Sequence, residues 1–222
     1  MGYQKIRVYH DDLFEGTYSL VDEPFCRKCA HPGVTTDECT DHGHLESIER
    51  IYAMGWYYRV RDREEDDLLS KHILQAKKNS SISEPLGRAM AITARRKYPE
   101  LLKSNLIIPI PLHPKKLKER GHNQALELAR IVSNQLNIEL LDGLEKTRNV
   151  SFRNKSWEER LELIDGLYKV KAEYVDYVRD KKIIILDDVT TTGLTLNECT
   201  KVLFESDTSS VNAFTATKAR RI

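Results

Sequence analysis

The sequence predicts an α/β protein, a parallel sheet covered by helices, with a small metal-binding module ahead of it. Three observations carry that reading. From about residue 66 onward, short apolar strands alternate with stretches of helical period, the order of elements that builds a parallel sheet. One of these strands, "KKIIIL" (181–186), is fully apolar after its two lysines, and another, "NLIIPIP" (105–111), is a short buried strand stopped by prolines. Residues 1–45 are different: polar, with little period, and carrying Cys26, Cys29 and Cys39. The expected division is 1–48 for an N-terminal segment with a zinc-ribbon-like module and 49–222 for the α/β domain.

In chain order, "RIYAMGWYYRV" (50–60) is aromatic-rich and reads as a strand or two. "DDLLSKHILQAKKN" (66–79) places Leu69, Ile73 and Leu74 at helical spacing. "SEPLGRAMAITARRKYPELL" follows as a helix, with Ser83 as its N-cap and Pro85 in the first turn, where a missing N–H is harmless. "NQALELARIVSNQL" (123–136) is amphipathic, with Ala125, Leu128, Ala129 and Val132 on one stripe. "TLNECTKVLFE" (195–205) is a helix with Leu196, Cys199, Val202 and Leu203 inward, and "SVNAFTATKA" (210–219) is a final strand. Trp56, Tyr57 and Tyr58 read as packing, His72 as structural, and "REEDD" (63–67) as a solvated loop.

Bulk composition narrows the function classes. The formal charge of +1 offers no global field for nucleic acid or an acidic membrane. No apolar run approaches the roughly 18 residues needed to span a bilayer. The first twenty residues lack the apolar core of a signal peptide, so a cytoplasmic protein without membrane insertion is expected. No Ser-His-Asp or H-E-x-x-H pattern is present, and G-x-x-x-x-G-K-[ST] is absent, against an ATPase.

The chemistry concentrates in "IIILDDVTTTGLTL" (183–196). Asp187 and Asp188 sit where a buried strand emerges, and the turn after them leads into a helix N-terminus. Such a turn offers backbone N–H groups and the positive end of a helix dipole. Thr190, Thr191, Thr192 and Thr195 add hydroxyls, and Gly193 lets the backbone approach an anion closely. The two carboxylates repel phosphate but suit sugar hydroxyls or a divalent cation. Together these read as a site for a phosphorylated pentose. The second informative stretch, "IIPIPLHPKKLKERGHNQALELA" (107–129), ends a strand and then presents His113, Lys115, Lys116, Lys118, Arg120 and His122, a basic loop suited to pyrophosphate.

At the N-terminus, Cys26-x₂-Cys29 is followed by Cys39 and then His42 or His44. This spacing suits a tetrahedral zinc site, able to fold a segment too polar for its own core. His42 has the better spacing for the fourth ligand, with His44 and His31 as alternatives. Cys199 reads as a small buried hydrophobe.

"IIILDDVTTTGLT" resembles the 5-phosphoribosyl 1-pyrophosphate (PRPP) motif of type I phosphoribosyltransferases, and "PIPLHPKKLKERGHNQALELA" resembles the signature of their ComF (competence protein F-like) branch. The resemblance implies the type I phosphoribosyltransferase fold with a small hood, and a transferase using PRPP and Mg²⁺. Asp187 and Asp188 would hold the ribose hydroxyls, Thr190 to Thr195 the 5′-phosphate, and Ile110, Pro111, Leu112 and His113 would face pyrophosphate. Lys77 or Lys78 matches a lysine common in the family, and Lys115, Lys116 and Arg120 are candidate anion contacts. Arg120, Asn123 and Gln124 belong to the family segment without an assigned role. "KTRNVSFRNKSWEERLELIDGLYKV" departs from the branch by lacking a glutamine after Lys146, Thr147 and Arg148, while Glu159–Arg160 matches its "ER" pair. The hood is expected at residues 50–65 and 140–175. Expected partners are PRPP, a base or amine acceptor and, for a competence branch, single-stranded DNA, competence proteins or a second copy of the chain. The alternative role is a non-enzymatic competence or nucleotide-sensing protein on the same scaffold.

Overall fold

A computed structural model describes residues 5–10, 14–19, 26, 28–30, 35–40, 45–58, 68–152 and 155–219. Its centre is a five-stranded sheet in which every described pairing is parallel. The strands are β3 (Arg50–Tyr57), β4 (Leu106–Pro109), β5 (Glu139–Leu140), β8 (Lys182–Thr190) and β9 (Ser210–Ala219), in the spatial order β3-β9-β8-β4-β5. Ile183, Ile184, Ile185 and Leu186 of β8 are fully buried, as a central strand covered on both faces requires. Two hairpins lie outside the sheet: β1 (Lys5–His10) with β2 (Phe14–Ser19), and β6 (Leu144–Lys146) with β7 (Tyr168–Val170).

The helices are α1 (Leu68–Ala76), α2 (Ser83–Lys97), α3 (Pro114–Arg120), α4 (Gln124–Leu136), α5 (Trp157–Ile164), α6 (Val175–Val178) and α7 (Leu194–Phe204). The stripe predicted on α4 is buried against β4, β8 and α2. Cys199, Leu196 and Leu203 of α7 are buried as predicted. Among the described residues no helix is long and apolar enough to cross a membrane.

Several expectations are corrected. Ser83 is not a cap but the first residue of α2, and its hydroxyl donates to Glu127 at 2.8 Å. The helix stops at Lys97, and Pro99 opens a separate 3₁₀ turn, because a proline offers no N–H to continue the ladder. Residues 50–57 are an edge strand of the main sheet and not part of a hood, and Trp56 is buried in it. The β1–β2 hairpin gave no period in the sequence. The strand expected at 181–186 runs on to Thr190, because β9 is long enough to pair Asp187 with Thr215, Val189 with Thr217 and Thr190 with Lys218. Residues 59–67, with "REEDD", and residues 31, 42 and 44 lie outside the described residues.

The strand order also picks out one place for a ligand. From β4 the chain steps to its neighbour β5, whereas from β8 it steps the other way, to β9. The connections therefore diverge between β4 and β8, and the crevice beyond the carboxyl ends of these two strands is the switch point where open α/β sheets bind ligands.

Candidate active site at the strand switch point

Both motif stretches arrive at that crevice. β8 ends at Thr190, residues 191–193 bend, and α7 begins at Leu194. Gly193 makes the bend: its φ of +85° is left-handed, and its carbonyl accepts the N–H of Asn197 at 2.8 Å, starting the helix ladder. Thr190, Thr191, Thr192, Gly193 and Thr195 line a cleft together with Asp187, Phe152 and Arg160. One wall is thus a hydroxyl-rich helix N-terminus beside a carboxylate, and the other carries an aromatic ring and a guanidinium from the hood.

Asp187 and Asp188 take different environments although they adjoin. Asp188 Oδ2 meets Lys77 Nζ at 3.2 Å. Of the two lysines expected here, Lys77 reaches the site, while Lys78 is exposed just past the end of α1. Burial, then the adjacent Asp188, push the Asp187 carboxyl well above the ordinary aspartate range, with Lys77 opposing. Asp187 Oδ1 accepts the Asp188 N–H at 2.8 Å.

Ile110 to His113 follow β4 next door. The Ile110 N–H donates to Leu186 O at 2.9 Å, one residue before Asp187, so this turn flanks the carboxylate pair without lining the cleft. The structure gives Asn123 and Gln124, two of the three residues left without a role, hydrogen-bond partners. Asn123 Nδ2 donates to Ile110 O at 3.0 Å while its Oδ1 caps α4 through the Ala125 N–H at 3.1 Å. Gln124 Nε2 donates to Ile73 O at 3.3 Å, and His122 Nε2 lies 3.0 Å from Ala76 O. The segment pins the turn after β4 to the end of α1, the helix that leads into Lys77. Lys115, Lys116 and Arg120 are not brought into the cleft. They stand on α3, a short helix with no buried residue, where His113 Nδ1 caps the Lys115 N–H at 3.2 Å and Lys116 pairs with Glu119 at 2.7 Å.

Sequence reasoning missed three residues. Lys218 of β9 is buried and donates to Thr191 O at 2.6 Å, tying down the loop after β8; an ammonium inside the otherwise uncharged "FTATKA" was the available signal. Lys146 of β6 sits 5.9 Å from the Phe152 ring centroid and 5.6 Å from that of Tyr168, and donates to Val150 O at 3.2 Å. Burial pulls its pKa down, against the nearby Cys199 and Asp187. Phe152, in an irregular stretch, carried no signal.

The cysteine cluster is assembled. Cys26, Cys29 and Cys39 bring their sulfurs within 4.8 Å of one another, with Cys29 and Cys39 at 3.6 Å. In a tetrahedral site with bonds of about 2.3 Å, sulfurs stand about 3.8 Å apart, so the three thiols fit a zinc ion. Ala30, at φ +59°, returns its N–H to Cys26 O at 2.7 Å and closes the turn between the first two cysteines. His42 and His44, the expected fourth ligands, fall outside the described residues.

A parallel sheet carries a carboxylate–threonine loop at its switch point, the arrangement that the resemblance to type I phosphoribosyltransferases implies. No protein-family model matches the chain. Among curated proteins, it is similar to "Competence protein F" of Haemophilus influenzae, 29% identical over 126 residues, 55% of each chain. It is similar to "Competence protein ComFC" of Streptococcus pneumoniae, 32% identical over 107 residues, 48% of this chain and 45% of that one. "Competence protein ComFC" of Bacillus subtilis is 27% identical over 214 residues, 87% of this chain and 84% of that one. The chain thus spans about half the length of the first two relatives and most of the third, and the resemblance to the ComF branch holds. Among solved structures, the glutamine PRPP amidotransferase of B. subtilis superposes with a TM-score of 0.42 at 15% identity, over 61% of this chain and 26% of that one.

Proposed function

We propose that the protein binds PRPP and transfers its 5-phosphoribosyl group to a nitrogenous acceptor, releasing pyrophosphate. The observation that carries this reading is the cleft in which Asp187 and the Thr190–Thr195 loop stand together at the switch point. The loop hydroxyls and the α7 N-terminus would donate to the 5′-phosphate. Lys218 holds the loop's shape through Thr191. The carboxylates would accept from the ribose 2′- and 3′-hydroxyls, and their charge favours the positive character that develops at C1. The bond from C1 to the pyrophosphate oxygen breaks with its electron pair leaving on pyrophosphate. The acceptor nitrogen forms the new bond to C1, and its proton passes to pyrophosphate or solvent. Two adjacent carboxylates at a strand end fit a hydrated Mg²⁺, which would supply charge neutralisation for the leaving group. The turn at Ile110–His113, anchored by Asn123, would face the pyrophosphate.

The test is calorimetric titration of the zinc-loaded protein with PRPP and Mg²⁺, beside an Asp187→Asn/Asp188→Asn variant. Saturable binding lost in the variant supports the reading and opens a screen of acceptors for pyrophosphate release. A folded protein that binds no PRPP ends it.

One observation favours a second role. α3 presents Lys115, Lys116, Lys118 and Arg120 to solvent, outside the cleft, and the curated relatives bear competence names. A single-stranded DNA or a competence protein would dock there. Its binding would weaken steeply with salt and survive the Asp187/Asp188 changes.

A further inference from the structure

The segment that follows the cysteine cluster forms the wall behind the phosphate loop. Leu45 and Ile48 are fully buried. A Cβ placed on Gly193 would stand 3.0 Å from Ile51 Cδ1 and 3.1 and 3.2 Å from the two methyl carbons of Leu45. The left-handed residue that shapes the loop therefore closes directly against these side chains. Asn197, in the first turns of α7, adds a polar tie: its Oδ1 accepts the N–H of Ser47 at 2.9 Å and that of Ile48 at 3.1 Å. One side-chain oxygen thus ties two backbone donors of that segment to the helix whose N-terminus faces the cleft.

The cysteines are built into the same body. Cys26, Cys29 and Ala30 belong to the continuous core that also contains Leu45, Ile48, Ile51 and Leu194. Cys39 packs against that core and precedes Leu45 by six residues. A metal held by the three thiols would therefore restrain the chain just ahead of the segment on which the loop rests. Without metal, those thiols lose the centre they share, and segment 45–48 has less to hold it against Gly193 and Asn197.

We propose that the cysteine module and the phosphate loop are coupled sites, with Leu45 and Asn197 as the positioning residues between them. A metal at Cys26, Cys29 and Cys39 tightens binding of a sugar phosphate at Thr190–Thr195, and the sugar phosphate tightens the metal by the same factor, as linkage requires. The coupling runs through packed side chains and two hydrogen bonds, a contiguous route with named members. This rests on the phosphate-binding reading above and adds regulation of that site.

The experiment uses the full chain loaded with zinc and ribose 5-phosphate as the probe, since it carries the phosphate and both hydroxyls but cannot react. Its affinity is measured by calorimetry before and after zinc is stripped. The zinc dissociation constant is measured by chelator competition with and without saturating probe. Stripping zinc should weaken the probe at least tenfold, and the probe should lower the zinc constant by the same factor. Asn197→Ala should bring both factors close to one, and Asn197→Asp, which keeps an acceptor oxygen, should preserve them. The competition arm works on the folded zinc form, so it decides the matter even if stripped protein unfolds. A probe that binds the zinc form but leaves the zinc constant unchanged overturns the coupling and leaves the PRPP reading standing. So does a folded chain that takes up no zinc. A folded zinc form that binds no ribose 5-phosphate defeats the phosphate reading, and the coupling with it.

Discussion

Gly193→Ala separates two costs that meet at one residue. Gly193 has φ +85°, where an L side chain costs about 1–2 kcal/mol. The new methyl would also stand 3.0 Å from Ile51 and 3.1 Å from Leu45, and such overpacking costs about 1–3 kcal/mol. The sum is about 2–5 kcal/mol. Gly121 is the internal control: its φ is +82°, but a Cβ there meets nothing within 4 Å, so Gly121→Ala carries only the backbone cost. In urea unfolding with a slope of about 2 kcal/mol per molar, Gly193→Ala should lower the midpoint by about 1–2.5 M and Gly121→Ala by about 0.5–1 M. Adding Leu45→Ala to Gly193→Ala should recover part of the steric loss, a non-additivity expected only of residues in contact. Equal midpoint shifts for the two glycines, or strict additivity with Leu45→Ala, would refute the claim that the loop closes against Leu45.

Asn123→Ala removes the α4 cap and the anchor of Ile110 O together, so it should cost about 1–2 kcal/mol in urea unfolding. It should weaken PRPP more than ribose 5-phosphate in calorimetry, because the turn it holds is the one assigned to pyrophosphate. Asp187→Asn should abolish sugar-phosphate binding yet raise stability at pH 7. The Asp187 pKa is raised by folding, so the native state is favoured while the carboxyl is protonated and loses that advantage as pH climbs through the raised value. The gain of the variant should shrink as pH falls into the ordinary aspartate range; unfolding curves at several pH values check this. His72 runs the opposite way. Burial beside Tyr18 depresses its pKa from 6.5 to about 4, so stability present above pH 6.5 drains as pH falls through that window, with a ceiling of about 3 kcal/mol. His72→Gln should flatten that part of the pH profile, and a wild-type profile equally flat would contradict it.

How legible each part was follows from the range of the interaction involved. The helix over 123–136 and the fully apolar strand at 183–186 were legible because burial on one stripe or on both faces is written as a local pattern. The loop at 187–195 was legible because six Asp and Thr residues exceed what a helix cap needs. The hood at 140–175 was expected from the resemblance, but its strands were not legible, because β6 and β7 are three residues each and pair across a gap of 21 residues between Lys146 and Tyr168. Strands so short hold no period to read. Lys218 could be noticed but not placed, since its partner Thr191 lies 27 residues away on the neighbouring strand connection.

By itself the sequence determined the class of sheet, the two loops proposed to carry the chemistry, and the three thiols that gather near the N-terminus. These rest on residue type and spacing, which act over a few neighbours. Only the tertiary structure decided that the loops after β4 and β8 share one crevice, because that depends on the order in which strands pair. The same holds for Lys77 beside Asp188, for Phe152 and Arg160 across the cleft, and for Leu45 and Asn197 behind the loop. Each of these joins residues far apart in the chain, and distant parts of a chain meet only when the core between them is packed.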